Sequence, residues 1–103
     1  MDRHRVDFKT LAWETPMQGV RSKTFEHGGK KLRLAEYTPA MEPHWCEKGH
    51  IGWVLEGRLE TRFDNETVVY EPGDGVFIPS GRADRHMGKA LTGGVRVVFV
   101  EDL

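Results

Sequence analysis

Residues 44–57 read HWCEKGHIGWVLEG and residues 73–86 read GDGVFIPSGRADRH. Each stretch joins a short apolar run to glycine or proline punctuation, with histidines and one cysteine set among them. Short runs broken by turn residues predict β-strands, because a helix would repeat its apolar positions over a longer window. Residues 50–56 read as one strand and residues 58–63 as the next. They meet at Gly57, where glycine supplies the positive φ that a tight hairpin needs. Pro72 and Gly73 suit the two central positions of a type II turn, since proline fixes a negative φ and glycine accepts the positive φ after it. Residues 76–79 follow as a strand.

Outward from these stretches the same pattern continues. Over residues 30–37, Leu32 and Leu34 alternate with Lys31 and Arg33, which predicts a strand whose basic side is solvated, ended by Pro39. Residues 64–66 read as a turn, 67–70 as a strand, 80–83 as a loop and 85–87 as a short strand. Residues 95–100 form a hydrophobic strand suited to burial on both faces. The segment to about Gly19, with Phe8, Leu11, Trp13 and Met17, reads as an edge strand or arm (residues 1–20) packed on the rest or on a partner. Many short strands with frequent turns make the chain all-β, a barrel or sandwich.

With 103 residues there is material for one domain, residues 1–103. A chain of this size buries only about 60–65% of the surface its unfolded form exposes, so association of protomers is expected to add stability. Fifteen basic residues stand against sixteen acidic ones, with the signs interspersed, so no electrostatic footprint for nucleic acid is present. The single cysteine excludes an intramolecular disulfide and fits a reducing compartment. The start, MDRHRVDFKT, lacks the apolar stretch of a secretory signal, and no apolar run is long enough to span a bilayer. A cytoplasmic location without membrane partners is the expectation.

The two quoted stretches resemble the paired motifs of the cupin superfamily. The first motif of that family runs His, one residue, His, three or four residues, Glu, six residues, Gly; His44, Cys46, His50 and Gly57 occupy its slots in turn. The second runs Gly, five residues, Pro, one residue, Gly, two residues, His; Gly73, Pro79 and Gly81 match, and the final histidine slot falls on Asp84. The resemblance implies a cupin-type double-stranded β-helix, or jelly-roll barrel, with a metal inside it. Three of the four ligand types differ from the family pattern.

Strand geometry recovers part of what the motif loses. Side chains alternate faces along a strand, so His44 and Cys46 share one face, and Asp84 and His86 share another if that segment is extended. A bulge or longer loop after Gly81 would bring His86 into the place where Asp84 stands. The candidate metal set is therefore His44, Cys46, His50 and His86. Three neutral imidazoles with one thiolate leave a divalent ion at net +1, the same as three imidazoles with a carboxylate. Thiolate is the softer donor, which favours zinc, iron or copper over manganese or magnesium. If Cys46 stays out of the shell, three imidazoles remain; a lone cysteine is otherwise a small buried hydrophobe. Asp84 is the candidate catalytic proton shuttle, with an outer-shell acceptor, a metal ligand or a simple turn residue as equal alternatives.

Trp45 and Trp53 fall on the face opposite the histidines, which suits a buried interface and a homodimer. His4 and His27 lie outside the motifs and read as surface residues. Arg58, Arg62 and Arg82 are equally consistent with carboxylate binding and with exposed strand positions. Two functions follow. The first is a metal-dependent enzyme, of oxygenase or isomerase type, acting on a small polar molecule; the alternative is a non-catalytic small-molecule binding or sensor domain.

Overall fold

The structure is a computed structural model and describes residues 4–103; of the arm expected over residues 1–20, residues 1–3 lie outside the described residues. Nine strands are present among the described residues: β1 (Glu14–Met17), β2 (Val20–His27), β3 (Lys30–Tyr37), β4 (His50–Glu56), β5 (Leu59–Arg62), β6 (Thr67–Tyr70), β7 (Gly75–Ile78), β8 (Met87–Ala90) and β9 (Val95–Asp102). Two short 3₁₀ turns, Phe8–Thr10 and Arg82–Asp84, complete the elements. All strand pairs are antiparallel. A six-stranded sheet runs β1-β2-β3-β9-β4-β7 and a three-stranded sheet runs β6-β5-β8. The all-β architecture expected from the turn pattern is what the chain adopts. No helix among the described residues is long and apolar enough to cross a membrane.

The core lies between the sheets. Ala35, Val54, Val95, Val97 and Phe99 from the larger sheet meet Leu59 and Ala90 from the smaller one, with Val76 and Ile78 beside them. β9 explains the arrangement. Its Val95, Val97, Phe99 and Glu101 are all buried, while Val100 between them is exposed. Strict alternation thus makes β9 one-sided, not buried on both faces as its apolar run suggested.

Gly57 does not close a hairpin. β4 is hydrogen-bonded between β9 and β7, whereas β5 belongs to the other sheet, so Gly57 is where the chain crosses from one sheet to the other. Its φ is 77°, and a methyl group there would stand 2.1 Å from the Gly94 carbonyl oxygen, so conformation and space both demand glycine. The tight hairpins lie elsewhere. β2 and β3 turn through Gly28 and Gly29, both at positive φ as a type I′ turn requires, and β5 returns to β6 through residues 63–66. The turn at Pro72 and Gly73 is as expected: Gly73 has φ 94° and the Asp74 amide donates to the Glu71 carbonyl.

One strand that the sequence pattern left unread and one whose faces it reversed have the same cause. β2 carries no apolar periodicity, because its inward residues Ser22, Thr24 and Glu26 line a mixed polar cavity instead of an oily core. In β3 the faces are the reverse of the expected ones: Lys31, Arg33 and Ala35 point inward, and Leu32 and Leu34 point outward. A basic side chain tolerates the inward position only with a counter-charge, and Glu101 on the neighbouring strand supplies it. The strand expected at residues 85–87 begins later, at Met87, because the Arg82–Asp84 turn takes up residues after Gly81.

Candidate metal centre

The segment after β3 leaves the sheet through Thr38–Met41 and runs without regular structure along the cavity, which His44, Cys46 and Lys48 line. There Cys46 and His86 form an isolated antiparallel bridge, each amide donating to the other's carbonyl at 2.8 and 2.9 Å. This bridge is the device that brings His86 into register. The 3₁₀ turn spends the two extra residues that separate His86 from the motif's histidine slot, and the bridge then fixes the imidazole beside Cys46. His50, the first residue of β4, completes a group: one ligand atom each from Cys46, His50 and His86 lie within 4.8 Å of one another. The two imidazoles meet edge to face, with centroids 5.0 Å apart.

The hydrogen bonds decide which nitrogen each imidazole offers. His86 Nδ1 lies 3.0 Å from the Asp84 carbonyl oxygen, which can only accept, so Nδ1 carries the proton and Nε2 the lone pair. Burial lowers the pKa of His86 and keeps it neutral at pH 7. Its Nε2 is buried and has no hydrogen-bond partner, the one such side-chain atom among the described residues. An orphaned lone pair in a buried site costs free energy unless something occupies it. A metal ion is the occupant that fits, because the other candidate donors, Sγ and an imidazole nitrogen, lie within 4.8 Å of the His86 ligand atom and of one another.

His50 is arranged in the same sense. Its Nδ1 lies 2.5 Å from Glu101 Oε2, again a pure acceptor when ionised, leaving Nε2 for the group. Its ring stacks on Phe99 at 4.7 Å. Glu101 is in turn gripped by Arg33 through two bonds of 3.0 and 2.8 Å, with Lys31 at 3.5 Å. Burial alone would raise the Glu101 carboxyl, but the hydrogen bonds and charges of His50 and Arg33 outweigh it and hold the carboxyl well below the usual range. For Arg33, burial lowers the pKa, but Tyr37 and Glu101 overcome it and the guanidinium is held above its ordinary value. The result is a carboxylate–histidine pair braced by arginine, an arrangement that commonly orients a metal-binding imidazole.

These groups face a cavity of about 440 Å³, large enough for a small molecule. Leu59, Val76, Ile78 and Phe99 make its apolar wall, and Lys48 and Glu26 stand among its polar residues. Of the residues singled out in the sequence, Cys46, His50 and His86 come together. His44 lines the same cavity but is exposed, lies outside the three-residue group, and has Nδ1 3.2 Å from the Glu42 carbonyl oxygen. Asp84 lines a separate cleft and not this cavity; its contribution to the site is the backbone carbonyl that receives the His86 proton. His4 and His27 are exposed. Of the three arginines considered for carboxylate binding, none lines the cavity; Arg58 pairs with Glu71 at 3.6 Å.

Glu101 and Arg33 escaped the sequence reading. A signal for Glu101 was present: it continues the inward series Val95, Val97, Phe99 at a spacing of two, so a carboxylate stands where the alternation calls for an apolar residue. Arg33 carried no such mark, because its inward direction depends on which face of β3 is buried.

The protein-family model described as Cupin domain matches residues 31–101. No curated protein sequence matches the chain. Among solved structures, KdgF from Halomonas sp. aligns over 91% of this chain and 89% of its own, at 21% identity and TM-score 0.75. An RmlC-like cupin from Shewanella frigidimarina aligns over 98% and 91%, at 16% identity and TM-score 0.78. The polyketide cyclase RemF from Streptomyces resistomycificus aligns over 95% and 78%, at 22% identity and TM-score 0.76. At these identities the likeness speaks for the fold alone. With the domain match covering most of its strands and the two-sheet architecture behind it, this chain belongs to the cupin family.

Proposed function

We propose that this cupin binds one divalent transition metal through Cys46, His50 and His86 and acts as an enzyme, of oxygenase or isomerase type, on a small polar molecule held in the adjoining cavity. The observation that carries the reading is the buried, unpartnered Nε2 of His86 beside a thiol and a second imidazole. A thiolate with two neutral imidazoles favours zinc, iron or copper. Bound there, such an ion would supply Lewis-acid polarisation or redox chemistry to a substrate in the cavity. The protein's own contributions are those of its residues. Glu101 holds His50 by Nδ1, the Asp84 carbonyl holds His86 by Nδ1, and the apolar wall excludes water from one side of the cavity. His44, exposed on the cavity wall, is the imidazole available to exchange a proton with substrate. A cytoplasmic setting, which keeps Cys46 reduced, and a homodimer belong to the same reading. A non-catalytic binding module would need the cavity but would leave the orphaned imidazole unexplained.

Elemental analysis of untagged protein tests the metal centre. Wild type should carry close to one equivalent of zinc, iron or copper. His86→Ala and Cys46→Ser should each lose it, by more than the ~10–100-fold in affinity that loss of an outer-shell partner costs. His44→Ala should retain it. Cobalt-loaded wild type should show a thiolate-to-metal charge-transfer band that Cys46→Ser abolishes. A wild type that takes up none of the three metals after incubation would sink the proposal.

A further inference from the structure

The Cys46–His86 bridge carries two of the three candidate ligands on two backbone hydrogen bonds, with no paired residue on either side of it. Two such bonds are worth about as much as ordering one or two residues costs, so the bridge alone is weak. The segment that leads into it is sparsely held. Met41 is buried in the core, and the Glu47 carbonyl accepts from the Gly81 amide at 2.8 Å. Between those two anchors, among the described residues, the hydrogen bonds and ring contacts that tie the segment to the rest of the chain are the bridge itself and one stack on Trp45.

That stack lies on the side of the bridge away from the cavity. Cys46 and His86 line the cavity, whereas their chain neighbours Trp45 and Arg85 do not, as alternation along extended backbone requires. The Arg85 guanidinium lies over the Trp45 ring, 4.4 Å from its centroid, and its Nε donates to Asp64 Oδ1 at 2.9 Å. Asp64 belongs to the turn between β5 and β6, so Arg85 joins three pieces of chain that are remote in sequence. Its own amide donates to the Arg82 carbonyl at 3.3 Å and closes the 3₁₀ turn that sets the register of His86.

We infer that Arg85 is a positioning residue for the metal centre: stacked on Trp45 and anchored by Asp64, it holds the Cys46–His86 bridge closed from outside and so keeps Sγ and Nε2 within reach of one ion. The inference rests on the metal reading above. An exposed ion pair by itself often contributes nothing measurable. Here the same guanidinium offers its edge to a carboxylate and its face to the ring beside Cys46, which a compact ammonium cannot do at once. The three side chains are 36–43% exposed, so each contact is modest. A cation–π pair and an ion pair at such sites each contribute a factor of about two to five, or roughly tenfold together in the opening of the bridge.

The test uses Trp45→Ala, Arg85→Ala and Arg85→Lys, with Trp45→Phe as the variant that keeps an aromatic face. In metal-free protein, amide exchange followed by NMR should show the Cys46 and His86 amides exchanging up to about tenfold faster in the alanine variants, with the amides of β9 at wild-type rates. Zinc affinity, measured by competition with a chelator, should fall by about tenfold in Arg85→Ala, at the lower end of the outer-shell range. Arg85→Lys should fall between Arg85→Ala and wild type, and Trp45→Phe should restore most of what Trp45→Ala loses. The double alanine variant should lose no more than Arg85→Ala, because the stack is already gone. Unchanged exchange at Cys46 and His86 in the folded alanine variants would overturn the inference. Acceleration shared equally by β9 would do the same, since Arg85 would then serve general stability alone. Faster exchange with undiminished zinc affinity would remove the role toward the metal. A wild type that takes up no zinc, iron or copper would overturn the metal reading, and exchange at the bridge would then support or overturn the hold of Arg85 on it separately.

Discussion

Glu101→Ala is expected to cost about 3–5 kcal/mol of folding stability in metal-free protein, the range for removing one partner of a buried ion pair. Glu101 is 4% exposed, and the Arg33 side chain that donates two hydrogen bonds to it is 15% exposed. Without the carboxylate, Arg33 remains inside with no counter-charge, Lys31 loses its partner, and the His50 ring loses its Nδ1 acceptor. For a domain this small, with total stability of order 5–15 kcal/mol, the loss is a large fraction. Urea denaturation followed by circular dichroism measures it. A change below about 1 kcal/mol would mean that the cluster is solvated and carries little.

The same carboxylate predicts the acid limb of the stability curve. Its folded pKa lies below the unfolded one, so the folded state binds this proton less readily than the unfolded state does. The stabilisation is therefore fully present above the unfolded carboxyl pKa, about 4.3, and is lost as pH falls below that value toward the folded pKa. Glu101→Ala should flatten the stability curve in that window relative to wild type. An unchanged slope would remove Glu101 from the account of acid sensitivity.

Gly52→Ala is expected to destabilise the protein by more than the ~1–3 kcal/mol typical of an overpacked core site. Gly52 lies on β4, between β9 and β7. A methyl group there would stand 1.9 Å from the Val98 carbonyl oxygen and 2.7 Å from Phe99 Cδ1. The first of these is backbone at the centre of the six-stranded sheet, and it cannot move aside as a flexible side chain can. β4 would have to part from β9, or the Phe99 ring would have to leave its place against His50. Glycine in a strand interior often marks such a close approach. A loss of 3 kcal/mol corresponds to roughly 12 °C or more in Tm for a domain of this size. Because Phe99 packs on His50, metal uptake should weaken in the same variant. A Tm within a few degrees of wild type would show that β4 has room it does not display.

The sequence by itself determined the all-β class and the turn at Pro72 and Gly73. Those features are local: turn residues impose their own φ, and alternation over a short strand needs no knowledge of what lies opposite. Tertiary structure decided the rest. It set β4 and β5 in different sheets, because a glycine at positive φ serves a crossing as well as a hairpin. It turned the Leu32–Leu34 side of β3 outward, because the cavity gives Lys31 and Arg33 a carboxylate to pair with, and no pattern within β3 can report a partner on β9. It brought His86 to Cys46 through a 3₁₀ turn and a two-residue bridge, and left His44 on the cavity wall and Asp84 in another cleft. Glu101 shows the division most plainly. Its spacing from Phe99 places it on the inward side, but only the assembled sheet reveals the imidazole and guanidinium that make an inward carboxylate stable.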